Sequence, residues 1–397
     1  MLVLVAPGQG AQTPGFLAPW LDLPGVAERL AWWSAVADLD LVRYGTEADA
    51  DTIRDTAIAQ PLLVASGIAA ALALFPHPAE AFRLVGAAAG HSVGELTAAA
   101  GTGAITAESA MALVRERGRA MAAAAAVTAT SMTAVLGGDQ DEVLAKLAEH
   151  GLTPANVNGA GQIVAAGSAE QLAALAADPP AKSRLRPLQV AGAFHTKYME
   201  PAVERMATLA KGVSTRDPRV PYISNLDGSV VHSGRDIVRR LVDQIASPVR
   251  WDLCMQTMRE LGVTGILEVP PAGTLTGLAK RALPGVATFA LKTPDDLDAA
   301  RAFVAEHAVP AQDHLNASPT WRLVVAPFSG TVRVGDGAGA GTELAPGAPV
   351  VTVVSRREEQ VLRAQHGGTV IEWLVEDGDP VSPGQPLVRI HPTAEAH

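Results

Sequence analysis

Residues 84–100 read LVGAAAGHSVGELTAAA. A short apolar run is followed by G-x-S-x-G at residues 90–94 and then by a helix-forming segment, the strand–turn–helix context that a nucleophile elbow requires. Glycines flank such a serine because the chain reverses too sharply for side chains on its neighbours, leaving the hydroxyl exposed. Ser92 then sits at a helix N-terminus, where backbone N–H groups favour the oxyanion formed in acyl transfer. The plainer alternative is a glycine-rich turn of no chemical consequence.

Working outward, the segments 2–6, 58–74, 84–89, 93–100 and 107–126 alternate apolar strands with helix-length stretches, an α/β pattern. From Ser131 the order becomes strand, helix, strand, strand, helix, strand, which predicts a ferredoxin-like βαββαβ subdomain inserted at about residues 128–193. The α/β pattern resumes near His195 and runs to about Glu306, so residues 1–306 read as one domain. Residues 307–319, HAVPAQDHLNASP, lack periodicity and read as a linker. Residues 320–393 are rich in Val, Gly and Pro and contain a repeat. SGTVRV at 329–334 returns as GGTVIE at 367–372, and LAPGAPVV at 344–351 returns as VSPGQPLV at 381–388, which predicts a pseudo-twofold β-sandwich.

A chain of 397 residues, 48% hydrophobic and 18% charged, buries a large core. The apolar start MLVLVAPGQG has no basic flank or cleavage site and reads as a buried strand; no apolar run reads as membrane-spanning, and a cytoplasmic protein is expected. A net charge of −10 argues against a nucleic-acid partner. The single cysteine, Cys254, lies on an apolar helix face and excludes a multi-cysteine metal site, so no metal is expected.

A serine nucleophile needs a base, and among ten histidines His195 in AGAFHTKYM is the best placed, at the end of a strand and just before a helix. His91 adjoins the nucleophile on a tight turn, points elsewhere, and is expected in the pocket wall. The remaining histidines, His366 and His391 included, read as solvated loop residues.

GQGAQ at 8–12, QP at 60–61, GHSVGE at 90–95, RERG at 115–118, NGAGQ at 158–162, AFH at 193–195, SN at 224–225, PVRW at 248–251 and GTLTGLAKR at 273–281 follow the order seen in malonyl-CoA:acyl carrier protein transacylases. The resemblance covers residues 1 to about 306. It implies an α/β-hydrolase-like core with a ferredoxin-like insertion and transfer of malonyl from malonyl-CoA to an acyl carrier protein through a malonyl-serine. It further implies Ser92 as nucleophile, His195 as general base, and the backbone N–H groups of Gln9 and Val93 as oxyanion hole. The resemblance also places a backbone carbonyl from near Pro248 to Trp251 on the histidine and makes Arg117 the clamp for the malonyl carboxylate, a task suited to a planar guanidinium. Gln60, Asn158 and Asn225 are further pocket candidates. Val93 and Phe194 resemble the malonyl-selecting members, Phe194 leaving little room for an α-methyl. EVPPAG at 268–273 departs from the family in having Pro270 before the second proline, and this loop is expected to be remote from the chemistry.

Residues 321–392 resemble biotinyl and lipoyl carrier domains, in which a lysine at a hairpin tip accepts the cofactor. Here that position is Arg357, and no lysine follows Lys292. A guanidinium stays protonated and forms no such amide, so neither biotin nor lipoate is expected. An unidentified protein partner for this tail is expected instead. Lys182, Arg184, Arg186 and Lys197 are candidate contacts for an acidic carrier. Two other readings remain at this point: a serine thioesterase or esterase with water as acceptor, and a scaffold whose tail binds a carboxylase or synthase.

Overall fold

The computed structural model describes residues 1–190, 192–308, 322–335, 339–365 and 367–391. The chain divides into two compact units, Met1–Ala311 and Gln312–His397. Most of the expected linker at 307–319 lies outside the described residues.

The first unit is mixed α/β. Its main sheet has six strands in the order Ala287–Ala290, Gly265–Glu268, Leu2–Ala6, Ala87–Gly90, Tyr222–Ile223 and Val230–Val231. The first five run parallel and only the last pair is antiparallel. Leu2, Val3 and Val5 are buried on both faces of the first strand, as a parallel sheet covered by helices demands. The helices Thr56–Leu74 and Ala107–Val127 pack together against this core. Thr56–Leu74 is long and apolar enough to cross a membrane, contrary to the sequence reading, which overlooked its uncharged run. Here it is a core helix, with Leu62, Val64 and Ala65 fully buried.

Residues 130–187 form strand Thr130–Gly137, helix Gln140–Glu149, strands Thr153–Gly159 and Gln162–Ser168, helix Ala169–Ala177 and strand Ser183–Pro187. Local signals start both helices: Asp139 accepts from the N–H groups of Asp141 and Glu142, and Ser168 closes a capping box with Gln171. These strands enclose their own apolar cluster, with Val135, Leu147 and Leu175 at its centre. One further strand, Val249–Arg250, pairs parallel with Thr153–Gly159 and sews this subdomain to the main fold.

The second unit is β-rich. Arg322–Val325, Pro386–His391, Gly368–Trp373 and Glu343–Leu344 form one antiparallel sheet; Glu359–Ala364, Ala348–Val354, Gly330–Val334 and Pro380–Val381 form the other. Each copy of the sequence repeat contributes strands to both sheets, in exchanged positions, and one cluster containing Val332, Val353, Val370 and Leu387 draws on both. Val354 pairs with Glu359, so Arg357 stands in the tight turn joining two strands, where Ser355 Oγ accepts from its N–H. His391 ends a strand and is not a loop residue; His366 lies outside the described residues.

Candidate active site

The elbow is built from backbone crowding. A Cβ on Gly90 would lie 2.0 Å from the Gly94 carbonyl carbon, and one on Gly94 would lie 2.2 Å from the Ala6 carbonyl oxygen. Only glycine fits at either position. Ser92 between them is held at φ 53°, a conformation non-glycine residues adopt only when their surroundings enforce it. Asn225 does this: its Oδ1 accepts from the Ser92 N–H at 2.7 Å and its Nδ2 donates to the Gly90 carbonyl at 2.6 Å. Asn225 is fully buried and braces the turn from behind, so the expectation that it lines the pocket is corrected.

The Ser92 hydroxyl lies 2.8 Å from Nε2 of His195, whose Nδ1 is 3.0 Å from the Gln244 carbonyl. A carbonyl only accepts, so Nδ1 carries the proton and Nε2 presents a lone pair to the serine. Two sequence expectations are corrected here. The orienting carbonyl comes from Gln244, at the C-terminal cap of helix Gly234–Asp243, and not from residues 248–251. Nor does His195 end a strand, because the last strand before it stops at Pro187, whose ring denies a ladder hydrogen bond. The irregular segment beyond is tied down side chain by side chain: Thr130 Oγ1 accepts from Ala193 N at 2.8 Å, and Thr196 donates to the Ala193 carbonyl.

Burial, reinforced by the charge of Arg117, pushes His195 down to about 3, so its base form persists far below the usual histidine range. Burial is the larger cause and does not depend on the charge of Arg117. Acylation at saturating donor is therefore expected to stay flat between about pH 8 and 6, where an ordinary imidazole begins to protonate. A stopped-flow profile falling with a midpoint near the unperturbed value of 6.5 would show a wet site instead.

Arg117 is buried on helix Ala107–Val127, while its neighbours Arg115 and Arg119 face outward and pair with Asp38. Its guanidinium donates to Gln60 Oε1 at 2.7 Å, Gln244 Oε1 at 2.8 Å and Ser92 Oγ at 3.3 Å. No carboxylate among the described residues forms an ion pair with it. Burial pushes it down to about 10, which leaves it charged at neutral pH.

A cavity of about 270 Å³ opens over Ser92, walled by Gln9, Gln60, His91, Asn158 and Phe194. His91 is kept neutral by burial; its Nε2 meets Asn158 Oδ1 at 2.8 Å and its ring tilts against Trp251. The glycine-rich loop at 8–12 is held from outside, with Gln9 Nε2 donating to the Arg54 carbonyl and Gln12 Nε2 to the Ile53 carbonyl. Among the described residues no hydrogen bond is formed by the backbone N–H of Gln9 or Val93. No residue of EVPPAG lines the cavity, as expected; its Glu268 carboxylate accepts from the N–H groups of Gly273, Leu275 and Thr276, and Thr274, Leu275 and Leu278 of the helix that follows, Thr274–Ala282, border the cavity.

Sequence reasoning passed over Gln244 and Glu95. Gln244 lies in no motif, since its contribution is a carbonyl that any residue possesses. Glu95 was visible in GHSVGE but had no assigned task. Among the described residues no cluster of His, Cys, Asp or Glu is arranged to hold a metal ion, and Cys254 is a buried free thiol.

A part-buried serine on a strand–helix elbow, a neutral buried imidazole and unengaged N–H groups define a serine acyltransfer centre. Residues 3–306 match the acyl transferase domain family, and the chain belongs to it. It is 53% identical over 303 residues to the malonyl CoA-acyl carrier protein transacylase of Mycobacterium tuberculosis, covering 75% of this chain and 98% of that protein. The crystal structure of MCAT from that organism superposes with a TM-score of 0.72, over 75% of this chain and 99% of the other. A malonyl-transacylase solved in complex with a type II PKS acyl-carrier protein is 29% identical, with a TM-score of 0.70 over 76% of this chain and 99% of that one.

Proposed function

We propose that the first unit moves a malonyl group from malonyl-CoA to the phosphopantetheine thiol of an acyl carrier protein, in fatty acid or polyketide synthesis. The observation that carries this is Arg117: a buried guanidinium that no carboxylate among the described residues pairs with, within 3.3 Å of the nucleophile, which the free carboxylate of a malonyl thioester completes. In the first half-reaction the Ser92 oxygen attacks the thioester carbonyl as its proton passes to His195 Nε2. The N–H groups of Gln9 and Val93 receive the tetrahedral oxyanion. Collapse expels the coenzyme A thiolate, which takes the proton from His195, leaving malonyl-Ser92. The carrier thiol then gives its proton to His195 and repeats the sequence in reverse.

Phe194 in the wall limits space beside the acyl α-carbon and supports malonyl over branched donors. Lys182, Arg184 and Arg186 are exposed on the inserted subdomain and, with Lys197, offer charge to an acidic carrier. Measuring carrier malonylation against free malonate release separates transfer from thioester hydrolysis; dominant hydrolysis would overturn the assignment.

We read the main fold as an α/β-hydrolase-like core with a ferredoxin-like insertion, and the second unit as a biotinyl/lipoyl-like sandwich. The two repeated halves and the hairpin turn bearing Arg357 support the latter. With arginine at the acceptor position, the tail carries no biotin or lipoate and serves to dock a protein partner in the cytoplasm. A chain ending near Glu306 is expected to remain folded and to retain most malonyl transfer to a free carrier. Steady-state rates of full-length and shortened protein at equal concentration check this; a well-folded but inactive short form would assign the tail to catalysis.

A further inference from the structure

Two glutamates lie wholly within the first unit, Glu95 at 1% and Glu268 at 0% exposure, and they differ in one respect. Both Glu268 oxygens are satisfied by donors at the start of helix Thr274–Ala282. Glu95 Oε1 accepts from the Tyr222 hydroxyl at 3.0 Å and from Asn225 N at 2.8 Å, whereas its Oε2 is buried and has no hydrogen-bond partner among the described residues. A carboxylate oxygen left unmatched in a dry core carries a large desolvation cost. Glu95 begins the elbow helix three residues after the nucleophile, and Asn225, which it holds, holds the Ser92 N–H.

We propose that Glu95 is a positioning residue that acts as the internal counter-charge to Arg117 in the empty site, and that an acyl carboxylate settling on Arg117 drives one solvent proton onto Glu95 Oε2. The proposal rests on Arg117 being the carboxylate clamp. Two carboxylates in the field of one guanidinium in a low-dielectric site disfavour each other's charge even where only one of them touches it, and protonating Glu95 removes the conflict. The free Oε2 is where that proton fits. Oε1 keeps its two donors in either state, so the brace through Asn225 to Ser92 survives the change.

Burial raises Glu95, its two hydrogen bonds and the charges of Arg117 and Arg240 pull it back, and the balance leaves it pushed up to about 7. The other titratable groups around it, Tyr222 and Cys254, are raised well above their ordinary values and stay neutral. Arg240 already pairs with Asp227 and Asp236. Arg117 is therefore the one neighbouring charge that a substrate neutralises, and doing so raises Glu95 further. Affinity for malonyl donors should then fall as pH rises through about 7, by up to about tenfold per pH unit, with acetyl donors unaffected.

Calorimetric titration of Ser92→Ala, which binds without turnover, with malonyl-CoA at pH 8 in two buffers of different ionisation enthalpy measures the proton directly. Uptake approaching one proton is expected for malonyl-CoA after subtracting acetyl-CoA, which cancels the phosphates common to both. His195, at about 3, stays neutral throughout. Adding Glu95→Gln, which retains the Oε1 acceptor, should abolish both the uptake and the pH dependence. No excess uptake with Glu95 intact, or its persistence in the Gln variant, would overturn the proposal. The first result needs no Glu95 variant and stands even if Glu95→Gln does not fold. Failure of the clamp itself would show separately, as unchanged malonyl-CoA binding in Arg117→Ala.

Discussion

Replacing Ser92 with alanine is expected to abolish the malonyl-enzyme and with it essentially all transfer. Ser92 Oγ is the hydroxyl within 2.8 Å of the His195 lone pair, and Arg117 donates to the same oxygen. Alanine keeps the backbone contacts to Asn225, which involve the residue 92 N–H and the Gly90 carbonyl and not the hydroxyl, so the elbow should remain formed. Intact-protein mass spectrometry after mixing with malonyl-CoA is the check. An adduct of undiminished intensity in the variant would remove Ser92 from the mechanism. His195→Ala should slow acylation by roughly 10²-fold or more, the usual consequence of losing a general base.

Arg117→Ala is expected to cost malonyl transfer heavily while sparing or improving acetyl transfer. With Arg117 as the proposed clamp, only the malonyl donor has a carboxylate to lose its partner, and a buried charge stripped of its partner costs on the order of 3 kcal/mol or more, about 10²-fold. Gln60 and Gln244 would each lose a donor at the same time, so part of any loss common to both donors belongs to their rearrangement. The ratio of malonyl to acetyl kcat/KM isolates the clamp. Equal losses with both donors would show that Arg117 supports the fold and does not choose the substrate.

Local chemistry made much of this protein legible from its sequence. The strained turn at 90–94 admits only glycine at positions 90 and 94, two residues either side of Ser92, so the nucleophile announces itself through backbone sterics within five residues. Apolar periodicity located the helices and strands of the inserted subdomain, because Asp139 and Ser168 signal helix starts without outside help. The repeat in the last 80 or so residues likewise exposed a symmetric β unit, since each copy builds equivalent strands.

What tertiary structure alone decided are contacts between residues far apart that have no signature side chain. His195 takes its tautomer from the carbonyl of Gln244, and a carbonyl is common to every residue, so nothing in the sequence distinguishes it. The irregular path to His195 depends on Thr130, which holds Ala193 from over 60 positions upstream. Asn225 reads as a pocket residue by its motif, but the packing of strand Tyr222–Ile223 beside the elbow turns it inward, onto Ser92 and Glu95. The charge of Glu95 is decided in the same way, because the fold buries Oε2 without a hydrogen-bond partner among the described residues, and burial is a property of the assembled core.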